Sequence, residues 1–181
     1  EVVDLLSELA KDHFISLELG IESTLNQTLE TINRCHTYEE TMSAFELANN
    51  RGLHLGGHLI MGLPGETRDD LLDHARKVNE LPINAIKLHQ LQIVKHTRMA
   101  LQWKETPEMF DLFTAEEYID MVCEFIALLR SDIVVDRVTN ESPPDKLIAP
   151  KWKSLKNFEI VAKVDKRLEE LDLWQGKRLA C

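Results

Sequence analysis

Cysteine is scarce, with three residues at 35, 123 and 181 and no CxxC pair among them. That excludes a disulphide framework and a CxxC-type zinc site, and it fits a reducing cytoplasm. Long apolar runs are missing too. No stretch of 18 or more apolar residues occurs, so no membrane-spanning helix is encoded. No charged-then-apolar leader opens the sequence. Positive charge is in deficit, 21 Lys and Arg against 31 Asp and Glu, and the net charge of −10 argues against a generic nucleic-acid surface. Only the end departs from this balance. From Lys146 to Cys181 nine basic residues face five acidic ones, a pattern that suits a solvated helix face or an RNA-touching tail. What remains is ordinary globular material, 44% hydrophobic and 29% charged, of about one domain's length. The first residue is Glu1, and Val2 to Leu9 already has a helical pattern, so a longer parent protein is expected.

Strand-like and helix-like segments alternate along the chain. Phe14 to Leu19 reads as a strand ending at Gly20, and Leu25, Leu29 and Ile32 follow at helical spacing. Thr37 with Glu40, Thr67 with Asp70, and Thr114 with Glu117 are capping pairs that open helices. Leu53 to Met61 is a second strand. Ala85 to Val94 is a third, with Lys87, His89, Leu91 and Ile93 on one face, and Ile133 to Val135 is a fourth. Four strands separated by helices predict right-handed βα units on a parallel sheet. Glu141-Ser142-Pro143-Pro144-Asp145 is a break. Beyond it, Phe158, Val161, Ala162, Val164, Leu168 and Leu171 predict a terminal helix. The predicted architecture is α/β, a partial TIM-like barrel over residues 1–140 with a mostly helical extension over 141–181.

In parallel α/β sheets, ligands sit at the carboxyl ends of strands. Here those ends carry Gly20 and Glu22, then Gly62 to Glu66, then Gln92, Lys95, His96 and Thr97. Glycines there let a flat ligand lie against bare backbone, and a Gly-Leu-Pro-Gly turn opening a helix directs free amides at it. A turn that only reverses the chain has the same residues.

Three motifs in order, Glu18-Leu19-Gly20-Ile21-Glu22-Ser23, then Ile32-Asn33-Arg34, then Leu59 to Thr67, resemble the second half of radical S-adenosylmethionine (SAM) enzymes. The likeness is to the branch holding the elongator catalytic subunit and the oxygen-independent coproporphyrinogen oxidases. Gln90 to Thr97 is similar to that branch's sixth strand. The resemblance is good over residues 1 to 100 and poor beyond. His58 and the ending Gly62-Leu63-Pro64-Gly65-Glu66-Thr67 are similar to a small bacterial subfamily of iron–sulphur oxidoreductases with a link to tRNA wobble-uridine modification.

The resemblance implies roles. Glu22 would contact the SAM ribose or methionine amine, and Arg34 would pair with the methionine carboxylate. His58 stands where relatives often carry an aspartate for the ribose hydroxyls. Ile60, Met61 and Gly62 would hold the adenine, and Ile93 would touch the same ring. Each residue type also serves structure: a carboxylate early in a helix, a cation at a helix end, a histidine in a core. The resemblance also implies a [4Fe-4S] cluster on a CxxxCxxC triad, which this sequence lacks. A chain like this is expected to be the SAM-facing part of an oxidoreductase or transferase and inactive alone. Partners implied are SAM, with tRNA or a partner modification enzyme, and no membrane. Loss of the first strands would leave an edge and an apolar inner face unpaired, so a dimer through that edge is expected. Two other readings stay open: a non-radical barrel enzyme that binds a phosphate-containing small molecule through Lys87 or Lys95, and a non-catalytic RNA- or partner-binding module.

Overall fold

The computed structural model describes residues 1–152 and 155–179; Lys153, Ser154, Ala180 and Cys181 lie outside them. Four parallel strands, β1 (Ser16–Glu22), β2 (His54–Met61), β3 (Ala85–Gln90) and β5 (Val134–Arg137), form one sheet in the order β1-β2-β3-β5. The α/β architecture of parallel βα units is the one the alternation predicts. Two short strands, β4 (Ile93–Val94) and β6 (Leu147–Ala149), pair antiparallel beyond the tip of β3. The helices are α1 (Val2–Leu9), α2 (Asn26–Thr31), α3 (Tyr38–Ala48), α4 (Arg68–Val78), α5 (Arg98–Glu105), α6 (Ala115–Leu128) and α7 (Asn157–Glu170).

The period-two pattern divides the sheet into two unlike faces. Ile21, Leu55, Leu59, Met61, Ile86 and Leu88 are buried against Phe45 of α3, Leu71, Ala75 and Val78 of α4, and Tyr118, Val122 and Phe125 of α6. Fully burying one such side chain is worth about 1.5–3 kcal/mol. Gly57 belongs to this layer, because a Cβ there would lie 2.7 Å from Ile21 Cδ1. The opposite face carries Glu18, Gly56, His58, Lys87, His89 and Asp136. Ile60, Ala85 and Val134 share that face, so it is mixed, with paired charges among apolar residues, where an apolar one was expected from the sequence. Lys87 reaches both Glu18 and Asp136 (Nζ to Oδ2 3.4 Å), and His58 Nε2 lies 2.8 Å from Glu18 Oε2.

All three capping pairs form. Thr37, Thr67 and Thr114 accept from the third backbone amide of α3, α4 and α6, and Glu40, Asp70 and Glu117 return the bond. Three expectations need correction. The first strand runs past Gly20 to Glu22, which sits at φ 63° beside a register shift. The third strand stops at Gln90 instead of running to Val94. Leu91 N donates to Met61 O, and Ile93 turns away to pair with Ala149, so the alternation continues across a change of sheet. In α7 the buried stripe is Ile160 and Val164 with Leu168 behind them, while Phe158 is 72% exposed. These three recur every four residues and face α6 together, a spacing that the more hydrophobic Phe158 and Val161 obscured.

Candidate functional site

The tips of β1, β2 and β3 surround a hollow of about 510 Å³. Glu22, Arg34, Ile60, His89 and Gln92 line it, with Ile32, Leu63, Leu91 and Met99 as its apolar wall. A second small core, Leu63, Leu91, Ile93 and Phe110 with Trp103 and Ile148 packed against it, supports that wall from α5, β4 and β6.

Glu22 and Arg34 reach the hollow by local backbone chemistry. Glu22 ends β1 in the left-handed region, which turns its carboxyl across the strand end. Arg34 follows the end of α2. There Asn33 at φ 58° donates to Glu30 O and Arg34 N donates to Leu29 O, the two bonds of a Schellman cap. The guanidinium then folds back so that Nη2 donates to Gly20 O at 2.8 Å. Gly20 is what lets these groups meet. A Cβ there would lie 2.3 Å from Glu22 Oε1 and 2.9 Å from Arg34 Nη2, so the two head groups occupy the space of the missing methyl. Burial raises the Glu22 carboxyl above the usual range, and Arg34 and His58 oppose that rise.

The other expected residues stand around this pair. Ile60 lines the hollow. Met61 is fully buried in the main core beneath it. Gly62, at φ 87°, turns the chain under Phe113, to which a Cβ would come within 3.0 Å. Ile93 is fully buried in the second core rather than on the lining. His58 lies on the open face in a neighbouring hollow with Glu18, Lys87 and Asp136, its ring 5.6 Å from that of His89. Lys95 and His96 do not line the hollow. Lys87 is held by two carboxylates, Glu18 first, which raise its pKa. A phosphate-binding lysine needs an ammonium free of carboxylates, and Glu18 and Asp136 already occupy that of Lys87, which weighs against the phosphate reading through it.

Sequence reasoning missed two features. One is His89, whose alternation with Lys87 already put it on the open face. The other is a buried polar network behind Glu22. Glu66 Oε1 accepts from Ser23 Oγ at 2.5 Å and lies 3.2 Å from His74 Nε2, and His74 Nδ1 lies 2.7 Å from Thr24 Oγ1. The Glu66 and His74 side chains are fully buried, and they tie the turn after Glu22 to the Gly62–Thr67 loop and α4. Glu66 read from sequence as the end of the Gly62 to Glu66 strand-end stretch; its burial depends on partners far away in the chain.

Chemically, the hollow offers a carboxylate for an ammonium or hydroxyl, a guanidinium for a carboxylate, and an apolar wall for a flat ring. That donor set fits an amino acid joined to a nucleoside. Among the described residues no group of three or more His, Cys, Asp or Glu could hold a metal ion, and Cys35 and Cys123 are free thiols.

Comparison with known proteins agrees in fold and family. The model of the Radical SAM superfamily matches residues 1–78, and that of the Radical_SAM C-terminal domain matches residues 83–170. The second match covers most of the region in which the resemblance was expected to be poor. Bacillus subtilis YtqA is 29% identical over 177 residues, covering 98% of this chain and 54% of the relative. The tRNA uridine(34) acetyltransferase of Methanocaldococcus jannaschii is 22% identical over 146 residues, 79% of this chain and 27% of that protein. A solved structure of archaeal Methanocaldococcus infernus Elp3 with an N-terminal deletion superposes with a TM-score of 0.79 at 20% identity, covering 93% of this chain and 39% of that one. The chain spans about half the length of the first curated relatives it matches. No described helix is long and apolar enough to cross a membrane.

Proposed function

This chain belongs to the radical SAM superfamily, and from that premise we propose that its protein binds SAM in the hollow above β1–β3 and modifies a tRNA wobble uridine. Together with a [4Fe-4S] cluster, SAM supplies one-electron chemistry that ends in hydrogen abstraction from a substrate carbon. The work of this chain is to hold and orient. Arg34 takes the methionine carboxylate with its planar guanidinium, and Glu22 takes the amine or the ribose. Ile60 faces the adenine, Met61, Gly62 and Ile93 form the ground beneath it, and His58 acts from the layer below. Cluster ligands come from outside residues 1–181, and residues 1–140 form the barrel part with 141–181 as an extension. A cytoplasmic oxidoreductase or transferase is the matching description. The tRNA assignment takes its support from the acetyltransferase relative's name and from the excess of basic residues after residue 146.

The observation that carries this reading is the Gly20 cradle, where a missing methyl lets Glu22 and Arg34 converge on one hollow. The test is SAM binding by the full-length protein with its cluster reconstituted. Arg34→Ala is expected to weaken affinity about tenfold or more, the cost of a lost charged double hydrogen bond. Unchanged affinity removes Arg34 from the site.

A further inference from the structure

A second hollow, of about 290 Å³, opens between the tip of β3 and the extension. Gln90, Gln92, Asn140 and Ser142 line it and the hollow above β1–β3 alike, so the two share a wall. That wall is built around one residue. Gln90 Oε1 accepts from Asn140 N at 2.9 Å and its Nε2 donates to Asn140 O at 2.8 Å, while Gln92 Nε2 donates to the same carbonyl at 3.1 Å. Gln90 is only 6% exposed, and a buried carboxamide is costly unless its atoms are bonded. Here the bonds of two glutamines go to fixing one stretch of backbone. The Asn140 side chain itself has no hydrogen-bond partner among the described residues, so a held backbone presents a free carboxamide where the two hollows meet.

The rest of the lining divides by chemistry. Leu147, Trp152 and Leu155 give an apolar side. The indole is fixed, because Trp152 Nε1 donates to Phe113 O at 2.8 Å and its ring lies 5.1 Å from that of Tyr118. Lys151 and Lys156 line the hollow as exposed residues. Elsewhere on the extension the cations are paired, Lys166 and Arg167 with Glu170, Lys177 with Asp172 and Arg178 with Glu124. Lys151 and Lys156 have no such partner among the described residues. Glu141 also lines the hollow, but its carboxylate accepts from Asn157 N at the start of α7. A fixed apolar wall, a carboxamide that can donate and accept along one edge, and two unpaired ammonium groups are the parts that recognise an unstacked base and its phosphates.

We propose that this second hollow receives one unstacked pyrimidine nucleotide of an RNA loop, its base edge on Asn140 and its flanking phosphates on Lys151 and Lys156. The inference rests on the tRNA reading and gives its substrate a seat one wall away from the cofactor. The cluster-reconstituted full-length protein is titrated, over a series of salt concentrations, with two anticodon stem-loop RNAs. One carries uridine at the wobble position and the other is abasic there. The wild type is expected to bind the uridine hairpin about fivefold or more tightly than the abasic one. Asn140→Ala keeps every backbone bond described above and is expected to remove most of that preference. A Lys151→Ala and Lys156→Ala double variant is expected to weaken both hairpins alike. It should also make the slope of log affinity against log salt shallower by about 0.7 for each lysine, and an unchanged slope overturns the phosphate contacts. If the wild type binds neither hairpin, the tRNA reading fails and this inference falls with it. If the wild type binds both hairpins equally, or Asn140→Ala keeps the full preference, only the base seat is overturned. Should Asn140→Ala not fold, photocrosslinking of 4-thiouridine at the wobble position to the wild-type protein decides. A crosslink to the lining of this hollow supports the proposal, and one confined elsewhere overturns it.

Discussion

Gly20 has no side chain, yet the geometry of the hollow turns on it. The atoms that a Cβ would strike are the far ends of two flexible side chains, not backbone, so Gly20→Ala should fold with a stability change of under about 1 kcal/mol. The displaced Glu22 and Arg34 head groups should then cost the full-length protein about tenfold in SAM affinity, read by calorimetry beside a thermal melt. A large drop in melting temperature with normal binding would assign Gly20 to packing instead. His89 makes a second prediction at this scale. Its folded-state pKa, about 4, lies below the ordinary 6.5, so the unfolded chain takes up the proton first. Stability is therefore full above pH 6.5 and falls as pH drops toward 4. His89→Gln should flatten that part of a urea-midpoint-against-pH curve. Glu22 and Arg34 were legible as a pair only through the resemblance of their motifs to radical SAM enzymes, and the structure now places both on one hollow. The buried, unpartnered Nε2 of His89 was not legible, since an alternating strand shows which face a residue takes and nothing of what stands opposite it.

At the scale of elements, local chemistry was the most readable part of the chain. Each capping pair is a contact within four residues, and Thr37, Thr67 and Thr114 all make theirs. Thr114→Ala at the start of the largely buried α6 should destabilise by about 1 kcal/mol in equilibrium denaturation. The misread elements all depend on partners distant in sequence. β3 stops at Gln90 because Leu91 N finds Met61 O and Ile93 finds Ala149, a change of sheet that leaves the period-two pattern intact. The stripe of α7 is set by where α6 lies, so Ile160, rather than the larger Phe158, is the anchor. Ile160→Ala should cost about 2–5 kcal/mol, whereas Phe158→Ala should stay within about 0.5 kcal/mol. Equal losses from the two would contradict this packing.

For the whole molecule, the sheet order leaves β1 with a neighbour on one side only, and the apolar residues Val2 (71% exposed), Leu5 and Phe14 (80% exposed) stand on or just after α1, the helix that leads into that strand. The isolated 181-residue chain should therefore self-associate, appearing as a dimer in size-exclusion chromatography, and a Leu5→Lys and Phe14→Lys double variant should run as a monomer. The mixed open face is the other large-scale feature. Glu18, His58, Lys87 and Asp136 form a layer of mutually satisfied charges below the hollow, with the apolar Ala85 and Val134 among them. The central claim at this scale is that three strand tips share one ligand. It is tested most directly by a crystal structure of the full-length protein with S-adenosylhomocysteine. The ligand is expected in the β1–β3 hollow, its carboxylate on Arg34, its amine or ribose on Glu22, and its base against Ile60. A ligand seated elsewhere, with Glu22 and Arg34 still folded over Gly20 and touching nothing, would contradict it.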